Sequence, residues 1–427
     1  MPARVVARDS WSRMGFILAS IGAAVGVGNI WRFPYMVGVN GGGAFLIPYL
    51  IGVLLFSLPL MMLELDVGRS FHGSVLTVMR RLSRRYRLVG LLPLGISLGV
   101  CGYYLVVTGW SLAYFTFSLT GYIPFNDFIS GLLPLLFFII AFLMTSLVIS
   151  RGIKKGIERM AMLLMPVFAV LLVALAAYSL TLPGAGEGLA FYLTPDFTYL
   201  SDITIWVMGI VQAFFSLAIG YGILLTYASY LPREERVPGK ALGIAGADTV
   251  IALIGGLIVF PIAFSFGLDP AAGSGLTFLS LPLVFQAMPL GFLVGAAFFL
   301  LLFLAGLTSA VGFYEVGSSS IVDELSWSRL KATLFSAIFI LAVGIPSALT
   351  FFGTGLSPWG IPLIDLLDAS LGRLLLLSAA LTTLVITRFH KPAILSGPGL
   401  LPRSLSILLR YLIPPILLII FFSELAF

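Results

Sequence analysis

The chain has 427 residues, 59% of them hydrophobic and 10% charged, with a mean hydropathy of +1.10. Soluble domains carry about 25% charged residues, so these figures exclude a soluble enzyme, a nucleic-acid binder and a disordered chain together. In that setting the net charge of +6 reads as anchoring charge on membrane-flanking loops.

In chain order the sequence predicts about eleven apolar spans, near 14–37, 43–70, 89–120, 131–150, 157–181, 204–231, 240–267, 290–321, 331–349, 361–387 and 402–425. At 1.5 Å per residue such runs are long enough to cross a hydrocarbon core of ~30 Å. The fold class that follows is an all-α polytopic membrane protein. Arg4, Arg8 and Arg13 precede span 1, yet no small-residue cleavage site follows before Trp31-Arg32-Phe33-Pro34. That stretch reads as a span, not as a signal peptide.

The basic residues alternate from loop to loop. Arg80, Arg81, Arg84, Arg85 and Arg87 follow span 2, and Arg151, Lys154, Lys155 and Arg159 follow span 4. Arg233, Arg236 and Lys240 follow span 6, Arg329 and Lys331 span 8, and Arg388, Lys391 and Arg403 span 10. Loops 121–130, 182–203, 268–289 and 350–360 hold no Lys or Arg. The positive-inside rule places the N-terminus in the cytoplasm, and an odd number of spans places the C-terminus outside. The expected location is the cell (inner) membrane. Cys101 stands alone in an apolar run and reads as packing; His72 and His390, far apart beside basic loops, read as surface residues.

Most of the 46 glycines fit close helix packing in lipid. Two clusters do not. Gly22-Ala23-Ala24-Val25-Gly26-Val27-Gly28-Asn29 falls in the middle of span 1, and Ser216-Leu217-Ala218-Ile219-Gly220-Tyr221-Gly222 does the same in span 6. A helix broken at membrane depth frees amides and carbonyls that need partners, and a cavity holding ions and a polar solute would supply them. The breaks lie five spans apart. A five-plus-five repeat, 14–181 and 204–387 with an extra helix at 402–425, would make them equivalent and its two halves opposite in orientation.

The residues now quoted, with Trp11-Ser12-Arg13-Met14-Gly15, Gly26-Val27-Gly28-Asn29-Ile30-Trp31-Arg32-Phe33-Pro34 and Asn40-Gly41-Gly42-Gly43-Ala44-Phe45, closely resemble the neurotransmitter:sodium symporter family. Tyr103-Tyr104, Thr226-Tyr227-Ala228-Ser229-Tyr230, Gly275-Leu276-Thr277-Phe278, Leu281-Pro282 and Ala305-Gly306-Leu307-Thr308-Ser309 extend the resemblance over essentially the whole chain. The absence of a twelfth span matches a shorter bacterial form. The resemblance implies a leucine-transporter fold and sodium-coupled transport of a neutral amino acid by alternating access. It leaves the exact amino acid, chloride coupling and oligomeric state open.

By the same resemblance, one sodium site maps onto the carbonyls of Gly22, Val25 and Ala305 and the hydroxyls of Thr308 and Ser309. Hydrogen bonding of Thr308 and Ser309 within span 8 is the plainer alternative. The other sodium site maps onto the Ala24 carbonyl, Asn29 and Ser216, while the family's span 7 asparagine falls at Ala247, beside Asp248. Two readings of Asp248 stand: it supplies the missing ligand or countercharge, or it sits near the cytoplasmic end of span 7. Substrate is expected between the breaks. The amides around Gly26 and Gly28 and the Tyr104 hydroxyl face its carboxylate, and the carbonyls of Ala24, Phe215 and Ser216 face its ammonium. Val100, Tyr104, Phe215, Tyr221, Ser309 and Phe313 line the side-chain pocket. Ala218 stands where a hydroxyl is common in the family. The bulk of Phe313 and Tyr221 favours small or medium neutral amino acids.

Arg32 and Asp368 resemble an outer ion pair, with Tyr104 and Phe215 as a lid. Arg8, Trp11 and Asp323 resemble an inner gate, although Trp11 and Arg13 lie one residue closer together than in most members, which leaves the place of Arg8 open. Glu64 resembles a brace for the unwound part of span 6. Glu315, Asp365 and Arg373 are intramembrane charges to which the sequence assigns no role. A substrate sensor on the same fold, binding with little transport, is the alternative. A channel lacks a filter-like sequence. Gly26-Val27-Gly28 is no dinucleotide fingerprint, because no strand precedes it.

Overall fold

The computed structural model of the chain describes residues 10–270, 276–353, 355–396 and 400–426; Arg4, Arg8 and Gly275, named above, lie outside them. Lipid offers no hydrogen bonds, so a spanning segment must satisfy its backbone within its own helix. The described residues accordingly form helices and no sheet, with one isolated bridge between Gly42 and Pro195.

Among the described residues nine helices are long and apolar enough to span: Gly43–Phe71, Arg84–Thr120, Leu133–Ser150, Ile153–Ser179, Val237–Ser265, Gly291–Leu325, Arg329–Ala348, Leu363–Phe389 and Pro402–Glu424. These are spans 2 to 5 and 7 to 11. Span 1 is the bent pair Arg13–Ala24 and Gly28–Val39, at 49°. Span 6 is split into Ile203–Ser216 and Ile223–Ala228. Span 8 occupies the centre. Of its most apolar stretch 78% is buried, against 33% for spans 4 and 5, which therefore face lipid. Span 3 packs along span 8, and Gly306 permits the contact, since a Cβ there would meet Thr108 Oγ1 at 2.5 Å.

Both breaks arise where the sequence loses helix-forming residues. Ser12 caps span 1 by accepting from the Gly15 amide at 3.0 Å. The helix stops at Ala24 and restarts as a wide turn at Gly28–Arg32. In span 6 the chain leaves the helix after Ser216 and turns left-handed at Ala218 (φ 52°), Gly220 (φ 85°) and Gly222 (φ 78°). Glycine adopts that conformation freely, whereas Ala218 holds it at some cost. Neighbours satisfy the freed groups. The Gly220 amide donates to Glu64 Oε1 (2.8 Å), Ser378 Oγ donates to the Gly220 carbonyl (2.7 Å), and Ser97 Oγ donates to the Tyr221 carbonyl (2.7 Å).

Candidate functional site

The end of the first half of span 1 presents carbonyls without helical partners. Ser309 Oγ on span 8 donates to the carbonyls of Gly22 (3.2 Å) and Val25 (3.3 Å). Thr308 Oγ1 reaches the carbonyls of Ala305 and Leu304, both at 3.0 Å. Gly22 seats span 1 on Thr308, whose Cβ would lie 3.2 Å from a side chain added there. The oxygens of Gly22, Val25, Ala305, Thr308 and Ser309 thus converge between spans 1 and 8. Thr308 also makes the bond within span 8 that the plainer reading required. A set of hard, uncharged oxygens suits a monovalent cation. No group of three or more His, Cys, Asp or Glu residues that could hold a metal occurs among the described residues.

A second polar cluster joins spans 1, 6 and 7. Asn29 Nδ2 donates to Asp248 Oδ1 at 2.8 Å and to Ser216 Oγ at 3.1 Å, and Ser216 Oγ donates to Asp248 Oδ2 at 2.6 Å. Asn29 Oδ1 accepts from the Gly26 amide at 3.1 Å. Asp248 is fully buried, bonded to residues at both breaks and well inside its helix Val237–Ser265, away from the end that follows the basic loop. All its hydrogen-bond donors are neutral, and a buried carboxylate without a counterion is costly. A cation bound beside the carboxylate, or a proton taken up by it, would remove that cost. Two polar side chains are additional to the sequence expectations: the Tyr49 hydroxyl, which lies beside Ser216, Thr249 and Asp248, and the Gln212 amide, buried without a hydrogen-bond partner among the described residues. A glutamine inside an apolar span was the available signal for the second.

Between the clusters lies a cavity of about 20 Å³. Every predicted lining residue except Val100 and Ser216 faces it, together with Ala23 and Asn29. Val100 is buried in span 3 behind the wall, and Ser216 points to Asp248. The Val27 amide donates to Tyr104 Oη at 2.8 Å, so the donors expected for a carboxylate are taken by Tyr104 and Asn29 and must exchange partners when an anion arrives. A Cβ at Gly26 would lie 2.5 Å from Tyr104 Oη, and one at Gly28 3.0 Å from the Phe215 ring. Phe313 packs edge-on against Tyr104 (5.6 Å) and Tyr221 (4.9 Å).

Beyond this cavity, at the end away from the basic loops, opens a vestibule of about 390 Å³ that includes Arg32, Tyr103, Asp365 and Asp368. The expected Arg32–Asp368 contact is replaced. The Arg32 guanidinium lies 4.3 Å over the Phe215 ring, and Asp368 Oδ1 accepts from Tyr103 Oη at 2.8 Å. Among the described residues no ion pair within 4 Å joins the two: a cation–π contact holds Arg32 and a phenol bond holds Asp368.

The opposite end is packed. Trp11 Nε1 donates to the Tyr227 carbonyl at 2.9 Å, and its ring meets Phe16, Tyr227 and Tyr230. Asp323 Oδ2 accepts from the Ser74 amide at 2.7 Å. Glu315 is bound by Tyr230 Oη (2.9 Å) and by Arg329, through Nη1 at 2.8 Å and through a second contact of Nη2. Arg373 lies 4.0 Å from Glu424, and Asp365 lines the vestibule.

A sequence model of the sodium:neurotransmitter symporter family matches residues 8–130 and 132–395. The chain is 33% identical to an uncharacterised sodium-dependent transporter of Haemophilus influenzae (90% of this chain, 89% of that one). It is 35% identical to one of Methanocaldococcus jannaschii (89% and 81%). The Drosophila melanogaster sodium-dependent serotonin transporter is 26% identical, with 80% of this chain and 64% of that one covered. Among solved structures, MhsT in complex with L-phenylalanine superposes with a TM-score of 0.89, at 38% identity over 98% of this chain and all of that one.

Proposed function

The chain belongs to the sodium:neurotransmitter symporter family, whose members are sodium-coupled transporters and not enzymes, and from that premise we propose that it carries a neutral amino acid across the membrane with sodium by alternating access. The observation that carries this reading is the pair of oxygen clusters on either side of one small cavity, both built at helix breaks. One is uncharged and suits sodium alone. The other joins the Asp248 carboxylate to Asn29 and Ser216 and, with the Ala24 carbonyl as a further ligand, takes the second sodium. The substrate carboxylate displaces Tyr104 and Asn29 from the span 1 amides, and its ammonium meets the carbonyls of Ala24, Phe215 and Ser216. Each ligand then orders backbone that the other needs, so sodium and amino acid stabilise one another. Loss of sodium at the cytoplasmic side frees the substrate.

MhsT holds L-phenylalanine. In this chain Phe313 is wedged between Tyr104 and Tyr221, and the remaining room favours small or medium neutral side chains. The basic loops lie together at the packed end, in keeping with a cytoplasmic N-terminus, an outer C-terminus and repeats at about 14–181 and 204–387. The test is uptake of a labelled amino acid mixture into proteoliposomes with sodium or potassium outside. Sodium-dependent accumulation is expected, with alanine competing better than tryptophan. Binding without accumulation would favour a sensor, and sodium-independent uptake would overturn both ion sites.

A further inference from the structure

Span 11 carries an arginine, Arg410, for which the described residues offer no hydrogen-bond or ion-pair partner. Arg410 lies within a wide π-turn, Leu408–Leu412, inside the membrane-spanning helix Pro402–Glu424. Such turns often mark functional positions, and an ionisable group at this depth requires a partner. Arg410 Nε is buried with no hydrogen-bond partner, and no ion pair reaches the guanidinium among the described residues. Spans 2 and 10 pack against the turn, but their acids are engaged elsewhere. Asp66 pairs with Arg69 and accepts from the Ile394 amide, Glu64 holds Gly220, and Asp365 and Asp368 face the vestibule at the far end.

Seven residues earlier, Arg403 is exposed on nearly the same stripe of the helix. Helical side chains lean toward the N-terminus, which here is the end at the basic loops. Arg410 therefore leans back toward Arg403 and the bilayer surface, as a snorkelling arginine does. Beside this stripe the helix exposes Ile407 (59%), Tyr411 (71%) and Leu412 (45%). A phosphate lying between two guanidinium groups, next to an apolar helix face, matches a phospholipid at both its ends.

We propose that Arg410 and Arg403 form a binding site for the phosphodiester headgroup of an anionic phospholipid in the leaflet at the basic-loop side, with an acyl chain lying along Ile407 and Leu412. The full chain is reconstituted in nanodiscs of mixed phosphatidylglycerol and phosphatidylcholine, and retained lipids are counted by native mass spectrometry after mild delipidation. Roughly fivefold enrichment of phosphatidylglycerol is expected. Arg410→Gln should bring it close to parity, Arg410→Lys should keep most of it, and Arg403→Gln should lower it in part. Size-exclusion chromatography and circular dichroism confirm that each variant is folded. Unchanged enrichment in folded Arg410→Gln overturns the proposal. So does stripping of the lipid by millimolar glycerol phosphate, which would mean a site for soluble phosphates. A dimer that disappears in Arg410→Gln would mean that an acid of a second copy is the partner, and overturns it as well.

Discussion

Asp248 places a formal negative charge among neutral donors, 2.8 Å from Asn29 and 2.6 Å from Ser216. Asp248→Asn preserves the shape and the bond from Asn29, obliges Ser216 to accept where it now donates, and removes the charge that a cation would neutralise. Sodium affinity measured by equilibrium binding should fall at least about tenfold, a difference of ~1.4 kcal/mol. Asp248→Ala should also lower the sodium-to-substrate ratio in paired flux measurements, and an unchanged ratio would remove Asp248 from the ion site. Gly26→Ala is a sharper lesion, because its Cβ would lie 2.5 Å from Tyr104 Oη and 3.1 Å from Ser309 Oγ. Substrate binding should be lost while the purified protein stays monodisperse. Much of this was legible in the residues themselves. Gly22 meets Thr308 and Ser309, and Asn29 meets Ser216, contacts between segments whose motifs are each local in the sequence. Asp248 was legible as a charge but not as a neighbour of Asn29, since one residue of helix register turns a side chain by about 100°.

At the scale of helices, the breaks were readable because glycine clusters interrupt otherwise continuous apolar runs. What braces them was less so. Glu64 holds the Gly220 amide, and Glu64→Ala would leave that donor buried and unpaired at a cost of about 1–3 kcal/mol. Thermal unfolding in detergent should shift downward accordingly, and Ser378→Ala, which removes a second brace at the Gly220 carbonyl, should add to the loss. Glu315 shows why pairing escaped the sequence. Its partners Tyr230 and Arg329 come from the end of span 6 and the start of span 9, and apolar periodicity says nothing about which polar ends meet. Glu315→Gln strands the Arg329 charge, and the expected destabilisation is ~3–5 kcal/mol. A double substitution, Glu315→Gln with Arg329→Gln, should recover part of it, and equal losses in single and double variants would show that the pair is not coupled.

Across the whole molecule, one end is open and the other shut. The vestibule of about 390 Å³ leads to the Phe215 ring, which also lines the small cavity between the breaks, while Trp11, 6% exposed, closes the basic-loop end against Tyr227 and Tyr230. A transporter held in this arrangement admits solutes from one side only, and alternating access requires that ligands shift the balance between arrangements. Cys101 is buried, so the chain offers an almost silent background for thiol labelling. Val107 lines the vestibule and Ser20 is buried on the first half of span 1. Val107→Cys in proteoliposomes should react with a small impermeant thiol reagent in sodium, and Ser20→Cys should remain protected. Adding substrate with sodium should slow Val107→Cys labelling several-fold as Phe215 and Tyr104 close over the cavity. Replacing sodium by potassium should remove that protection, because without the cation the breaks lose the order on which the substrate depends. Protection by substrate that is equal in sodium and potassium would show that the two ligands do not act on one equilibrium, and would separate the oxygen clusters from the gate.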